Sequence, residues 1–235
     1  MNNYKKLEAG RSMIEMLGVL AIIGVLSVGG IAGYSKAMNK FKTNKIADNV
    51  SMLVANIKTL YAQQNTYDGL NNETAVSMGV VPDELVVKDS QGKYDHLTNA
   101  FNGTVDIHVS GSTDATDKKA FVLAFSGISR EACITLATND WGSGYSSGLI
   151  AIRASGESST GDADGNGADK IAIDGVFIGD KGTKLNSDAT AGDIVKAAVA
   201  TPGGKNLSVP MSVVEAAQSC SCTKGNTCSL QWKYY

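Results

Sequence analysis

Proline is nearly absent from this chain: three residues in 235, the first of them Pro82. An interior proline costs a helix about 3 kcal/mol, so nothing of that kind interrupts helix before residue 82. Histidine is scarcer still, and His96 and His108 stand apart from one another and from every cysteine. No G-x-S-x-G, H-E-x-x-H or phosphate-binding glycine loop occurs. These absences remove the usual constellations for acyl transfer, metal-assisted hydrolysis and nucleotide chemistry, and the chain reads as no enzyme. A basic surplus is lacking too: 21 Lys and Arg against 23 Asp and Glu leave −2. A nucleic-acid binder carries the opposite balance, so no nucleic-acid partner is expected. Cysteine is missing from the whole first half.

What is present is glycine, 26 residues of it, with Ser, Thr, Asn and Asp filling the stretches between apolar runs. That composition favours a loop-rich α+β or β-rich domain over a helical bundle. A chain of this length holds one substantial domain with an anchoring segment, or two small domains. The four cysteines, Cys133, Cys220, Cys222 and Cys228, are an even set that fits two disulfides in an oxidising compartment. The rival reading is a zinc site. Against it, paired C-x2-C knuckles are absent and neither histidine lies near the cluster. Four cysteines allow three pairings, and spacing does not choose among them.

Residues 1–10, MNNYKKLEAG, are polar and carry Lys5 and Lys6; residues 16–33, MLGVLAIIGVLSVGGIAG, are uncharged and mostly apolar. Eighteen helical residues span roughly 27 Å, enough to cross a bilayer. Lysines ahead of the span predict a cytoplasmic N-terminus and place the chain beyond the span on the far side. Glu15 is the anomaly. It stands at the mouth of the apolar run, where an unpaired carboxylate near hydrocarbon costs about 2–3 kcal/mol. A conventional cleavable signal peptide is the competing reading, since Ser35-Lys36-Ala37 satisfies its small-x-small site. The apolar run exceeds the usual core of about 7–15 residues, and such a peptide has no use for Glu15.

A short basic leader ending in glycine, followed by a hydrophobic helix with Glu at its fifth position, resembles the type IV pilin family. On that resemblance the leader is residues 1–10 and prepilin peptidase cuts between Gly10 and Arg11. Arg11 then becomes the methylated N-terminus, and Glu15 falls on the fifth mature position. The implied role of Glu15 is to pair with the terminal ammonium of a neighbouring subunit during assembly. Such a buried ion pair is expensive to break and serves register more than stability. Arg11 departs from the family, which usually places Phe or another apolar residue first.

The helical pattern continues past the membrane. Ile46, Val50, Leu53, Ile57 and Leu60, with Val54 and Tyr61 beside them, recur on one face. We expect one helix from about residue 12 to 65 within the segment 11–66. Residues 16–33 form its transmembrane or filament-core half and residues 34–66 an amphipathic half laid against a head. Gly29 and Gly33 form a small-x3-small pair that lets helices approach; on the resemblance, the Gly29-Gly30 region instead melts as subunits pack.

Residues 67–235 are expected to form one α+β head, with no linker dividing them. The chain from Tyr67 to Asn99 reads as a connecting loop with short helical pieces, one near Pro82. Strands are expected at Thr104–Val109, Phe121–Ser126, Leu149–Arg153, Ile171–Phe177 and Cys228–Tyr235. Helices are expected at Arg130–Thr138 and Pro210–Ser219, the latter capped by Ser208. Trp141, Trp232, Tyr234 and Tyr235 read as core and strand residues. The expected class is the α+β pilin fold: a long N-terminal helical spine packed on an antiparallel sheet.

Asn99-Ala100-Phe101-Asn102-Gly103 before a strand, the Cys133 helix ending in Asn139-Asp140-Trp141-Gly142, and a late Cys before a final strand resemble the type IVb branch. That resemblance implies a Cys133–Cys220 bond, leaving Cys222 with Cys228. Separately, Asp162-Ala-Asp164-Gly-Asn166-Gly matches the start of a calcium loop, with Asp169 or Asp174 available to complete the set. The twelfth position is Ile173 rather than Glu, which excludes a complete EF-hand. An exposed polar turn accounts for the same residues. No cofactor is required, and calcium is a candidate ligand.

The resemblance implies a structural subunit that polymerises with itself through its apolar helix into a cell-surface filament. Its partners would be prepilin peptidase, an assembly ATPase and an inner-membrane platform. Before assembly it would sit in the inner membrane with the head periplasmic, and afterwards in an extracellular pilus. A minor pilin, a type II secretion pseudopilin and a non-polymerising signal-anchored periplasmic binding domain are the alternatives.

Overall fold

Apolar and helix-favouring residues without proline make α1, a single helix over Met13–Tyr61. The computed structural model describes residues 13–110, 118–142, 147–155, 194–197, 211–222 and 228–235. Contacts divide the chain into two units, Met1–Phe41 and Lys42–Tyr235, with α1 contributing to both. In the second unit, Thr43, Ile46, Asn49, Val50, Leu53, Ile57 and Tyr61 are the buried face of α1. They join one hydrophobic cluster with Phe121, Leu123, Phe125, Leu230 and Trp232.

The apolar periodicity misplaces one residue. Leu60 is 44% exposed while Tyr61 is buried. The reason lies in how the chain turns: Tyr67 folds back with its ring 5.2 Å from Tyr61 and 4.8 Å from Phe121. This covers Tyr61 and leaves Leu60 bordering an open groove with Asn56, Thr59, Gly79 and Val80. The same reversal ends the helix four residues sooner than the expected residue 65.

The segment from Tyr67 to Asn99 holds more structure than a loop. Helix α2, Asn72–Ser77, starts at Asn71, whose side chain accepts from Thr74 N at 2.9 Å while Thr74 Oγ1 accepts from Asn71 N. A short 3-10 turn follows at Asp83–Leu85, just after Pro82. Strands β1 (Val86–Lys88) and β2 (Tyr94–Leu97) then pair antiparallel, a hairpin that the sequence pattern does not announce. Its strands are too short for an alternation signal. Its turn is held by Asp89, whose carboxylate accepts from Gln91 N and Lys93 N at 2.9 Å each.

Among the described residues five strands form the main sheet: β3 (Val105–Ser110), β4 (Ala120–Ile128), β5 (Leu149–Ser155), β6 (Ile194–Ala197) and β7 (Cys228–Tyr234). Their order is β3-β4-β7-β5-β6, every neighbouring pair antiparallel, with the last strand in the middle. Helix α3, Arg130–Ala137, lies between β4 and β5 in sequence. Helix α4, Val213–Ser219, precedes β7. Its start differs from the expected cap at Ser208: Ser212 Oγ accepts from Glu215 N and the Glu215 carboxylate accepts from Ser212 N. The S-x-x-E box fixes the first turn there. Ser208, Pro210 and the expected strand Ile171–Phe177 lie outside the described residues.

Strand β4 reads AFVLAFSGI with no alternation because both its faces are covered. Phe121, Leu123 and Phe125 join the cluster with α1; Ala120, Val122 and Ala124 are buried on the other side. Trp232 and Tyr234 are buried as expected, whereas Tyr235, one residue past β7, is 54% exposed.

The Asn99–Gly103 turn docks on this sheet. Asn99 Oδ1 accepts from Phe101 N at 2.8 Å and Gly103 N at 3.2 Å, and its amide donates to Ser126 O at 2.8 Å. Asn102 takes φ 63°, and a Cβ on Gly103 would overlap the Ser126 carbonyl and sit 2.8 Å from Gly127 Cα. Backbone on backbone has nowhere to yield. Gly103→Ala should therefore cost about 1–3 kcal/mol, lowering the thermal midpoint of the full chain in detergent by several degrees. Gly92→Ala, where a Cβ meets nothing within 4 Å, should cost less despite its positive φ.

Candidate functional site

The first candidate surface is the apolar half of α1. Met13, Ile14, Leu17, Leu20, Ile22 and Ile31 are all exposed, as is every other large apolar residue between them. Fully burying one such side chain is worth about 1.5–3 kcal/mol. Twelve of them in this stretch sum to unfavourable hydration on the order of 20 kcal/mol on that scale. The helix has the length and mean hydropathy, 2.2 over its best window, to cross a membrane.

The polar residues inside the run make no demand on water. Ser27 Oγ donates to Ile23 O at 2.7 Å and Ser35 Oγ to Ile31 O at 3.0 Å, each satisfied within the helix. Helix continues through Gly29-Gly30. A Cβ at Gly18, Gly24, Gly29, Gly30 or Gly33 would meet nothing within 4 Å, so the fold of a single chain gives no steric reason for glycine there. Each costs the helix about 0.8–1 kcal/mol relative to alanine. Glu15 sits exposed in the first turn, where the positive end of the helix dipole favours an anion.

The second candidate surface is the cystine-bearing end of the head. Ser129 caps α3, its Oγ accepting from Ala132 N at 3.2 Å, and Cys133 lies buried one turn further on. Cys220 is the C-cap of α4. The structure joins these two, with Cα atoms 5.9 Å apart, and joins Cys222 to Cys228, the first residue of β7, at 5.4 Å. On the chain-entropy account, a bridge closing 87 residues of sequence stabilises by roughly 4–5 kcal/mol. With all four sulfurs oxidised, the zinc reading has no thiolates to stand on.

At the opposite end of β7 a lysine does similar work that the sequence did not signal. Lys58 Nζ donates to Ser147 O at 2.8 Å and lies 5.2 Å from the centre of the Tyr234 ring. Tyr235 N donates to Gly148 O at 2.6 Å. Gly148 takes φ 68°, and a Cβ there would sit 2.9 Å from the Tyr235 carbonyl oxygen as well as against Lys58 Nζ, so glycine suits this close approach. In the sequence Lys58 is one more lysine on a helix; the contact exists only after the sheet forms. His108 lies in β3 and His96 is exposed, its Nδ1 2.9 Å from an Asp95 carboxylate oxygen. Gly10 and Arg11, and the proposed calcium residues Asp162, Asp164, Asn166 and Asp169, lie outside the described residues.

A long helix, apolar at its start and amphipathic where it enters an antiparallel head, defines a type IV pilin. Residues 40–170 match the family model described as PilS N terminal, and the chain belongs to that family of type IVb pilins. The major structural subunit of bundle-forming pilus from Escherichia coli O127:H6 is 29% identical over 168 residues, 72% of this chain and 82% of that protein. Toxin coregulated pilin of Vibrio cholerae is 28% identical over 152 residues, 63% of this chain and 64% of that one. The crystal structure of TcpA, a type IV pilin from the V. cholerae El Tor biotype, shares the fold with a TM-score of 0.50 at 18% identity. It covers 83% of this chain and 99% of its own.

Burial raises the phenol pKa of Tyr61, Tyr67, Tyr94 and Tyr234 above the usual 10.0; Asp68 adds to the rise at Tyr61. A folded-state pKa above the unfolded one gives stability that is whole below about pH 10 and lost above it. Burial of Lys58 lowers its pKa from 10.5, which favours the fold as pH rises towards that value. With four tyrosines against one lysine, the head should lose stability to denaturant above about pH 10. Tyr234→Phe should flatten that alkaline slope; an unchanged slope in urea titrations would contradict burial of the phenol.

Proposed function

We propose that this chain is the major structural subunit of a type IVb pilus, held in the inner membrane by the apolar half of α1 and then transferred into a filament of its own copies. The observation that carries this reading is the uncovered apolar helix. Two environments satisfy it: lipid before assembly and the helices of other subunits after it. The relatives named as a major structural subunit and as a coregulated pilin support the same reading.

Maturation follows from the leader. Prepilin peptidase cuts between Gly10 and Arg11 on the cytoplasmic face, the Arg11 amine is methylated, and an assembly ATPase with an inner-membrane platform drives insertion. Head domains remain periplasmic until the filament carries them out of the cell. Glu15 is the register element: in the bundle its carboxylate meets the terminal ammonium of a neighbouring copy. Removing one partner of a buried pair costs about 3–5 kcal/mol, because the other charge is left alone.

Glu15→Ala should leave membrane insertion intact while sheared surface filaments fall by more than tenfold, measured by immunoblot of sheared and membrane fractions. Filament yield equal to that of the unaltered protein would sink the pairing, and a mature N-terminus other than Arg11 would remove its partner.

Calcium is proposed at Asp162, Asp164, Asn166 and Asp169, on the alternation of oxygen ligands with glycine in the sequence. Isothermal calorimetry of the full chain should show binding at calcium concentrations of about 0.1–1 mM, the range of extracellular modules. Asp164→Ala should abolish that heat; no heat from the unaltered protein would leave a polar turn.

A further inference from the structure

We propose that the two cystines of the head form one exchange-coupled unit, in which the Cys228 thiolate, once released from Cys222, attacks the Cys133–Cys220 bond. Three sulfurs carry the inference. The Sγ atoms of Cys133, Cys220 and Cys228 all lie within 4.8 Å of one another, although Cys228 belongs to the other bond. Two bonds whose ends come from α3, the α4 cap and β7 thus share one buried space.

Access to it is graded. Cys133, Cys220 and Cys228 are fully buried, and Cys222 retains 7% exposure. We place the first attack of an external thiol at Cys222, the one of the four cysteines that keeps exposed surface. An attacking thiolate bonds to Cys222 Sγ, and the electron pair of the broken S–S bond leaves on Cys228. That thiolate then bonds to Cys133 or Cys220 Sγ, and the partner of the attacked sulfur departs as the new thiolate. Each step exchanges one S–S bond for another, so it needs no oxidant and no further reductant.

The consequence concerns pairing. Three pairings of four cysteines are open to the unfolded chain. In the folded head Cys228 can sample both Cys133 and Cys220, so a mispaired Cys228 bond is resolved inside the molecule. Once a second external thiol has removed the first as a disulfide and left Cys222 a thiolate, Cys222 bonds to Cys228 Sγ, and the sulfur that Cys228 held departs as a thiolate, leaving Cys133 and Cys220 both reduced. Closing the remaining pair takes one two-electron oxidation by a disulfide donor, whose own disulfide is reduced to a dithiol. Burial makes the thiolates costly, so exchange is slow and strengthens with pH.

Two variants of the full chain in detergent test this: Cys222→Ser, which leaves the Cys228 thiol, and Cys222→Ser with Cys228→Ser. Both lack the second cystine, and they differ only in the Cys228 sulfur. Under limiting dithiothreitol, acid quench and peptide mapping, the Cys133–Cys220 linkage should disappear at least about tenfold faster in the single variant. Peptides linking Cys228 to Cys133 or Cys220 should accumulate, more at about pH 9 than at about pH 6. Equal decay in the two variants would overturn the proposal. The unaltered protein gives a check that does not depend on the variants folding. At partial reduction its mapped intermediates should include Cys228 bonded to Cys133 or Cys220, and only Cys222–Cys228 and Cys133–Cys220 linkages at every time point would overturn it equally.

Discussion

One helix in this protein has to satisfy two incompatible surroundings. From Met13 to Ile31 its apolar side chains lie bare, while from Ile46 to Tyr61 the same helix supplies a face of the head's core. The second half is settled by the chain's own folding. The first is not, and unfavourable hydration on the order of 20 kcal/mol forbids it to stand in water. Lipid and like helices are interchangeable solvents for such a surface, since hydrocarbon is as apolar as leucine. That interchangeability is the physical basis for a subunit that is stored in a membrane and spent on a filament.

The head is arranged so that it closes late. Among the described strands the central one is β7, the last in chain order, and the sheet order β3-β4-β7-β5-β6 leaves its two halves unjoined until residues 228–234 pair. Both ends of that strand are then tied. Cys228 is bonded to Cys222, two residues from the Cys220 bond to α3; at the far end Tyr234 lies under Lys58 and Tyr235 N bonds to Gly148 O. Antiparallel pairing of distant segments is slow because loop closure precedes reward. A long-range cystine lowers the entropy of the open chain and helps most where the closed loop is long.

How much of this was legible in the residues depends on how local each signal is. The apolar run and the face Ile46, Val50, Leu53 and Ile57 are written in spacing, and the structure follows them. Strand β4 is visible as a continuous apolar stretch, and β7 as Leu230, Trp232 and Tyr234 alternating with Gln231 and Lys233. The β1–β2 hairpin was not, because three- and four-residue strands carry no period. The cap at Ser212 was legible as S-x-x-E but lost to a proline two residues earlier. Leu60 leaves the buried face while Tyr61 keeps it, because Tyr67 folds back over Tyr61, a contact that no helical period records. Lys58, likewise, acquires its meaning from Gly148 and Tyr234, more than 80 residues away.

The division of labour along α1 bears on what Glu15 contributes. Residues 16–35 carry no charge, and Ser27 and Ser35 are satisfied by their own helix, so Glu15 is the one full charge in the first turn and the apolar span beyond it. Apolar contact is non-directional and lets one helix slide along another at little cost. A carboxylate with a single complementary partner does not: displaced by one turn, about 5.4 Å, it faces hydrocarbon. On the proposed pairing, association strength comes from the apolar surface and the choice of axial position comes from Glu15. A buried ion pair adds little net stability but penalises the wrong register heavily, which is the property the proposed Glu15 pairing would bring to a repeating filament.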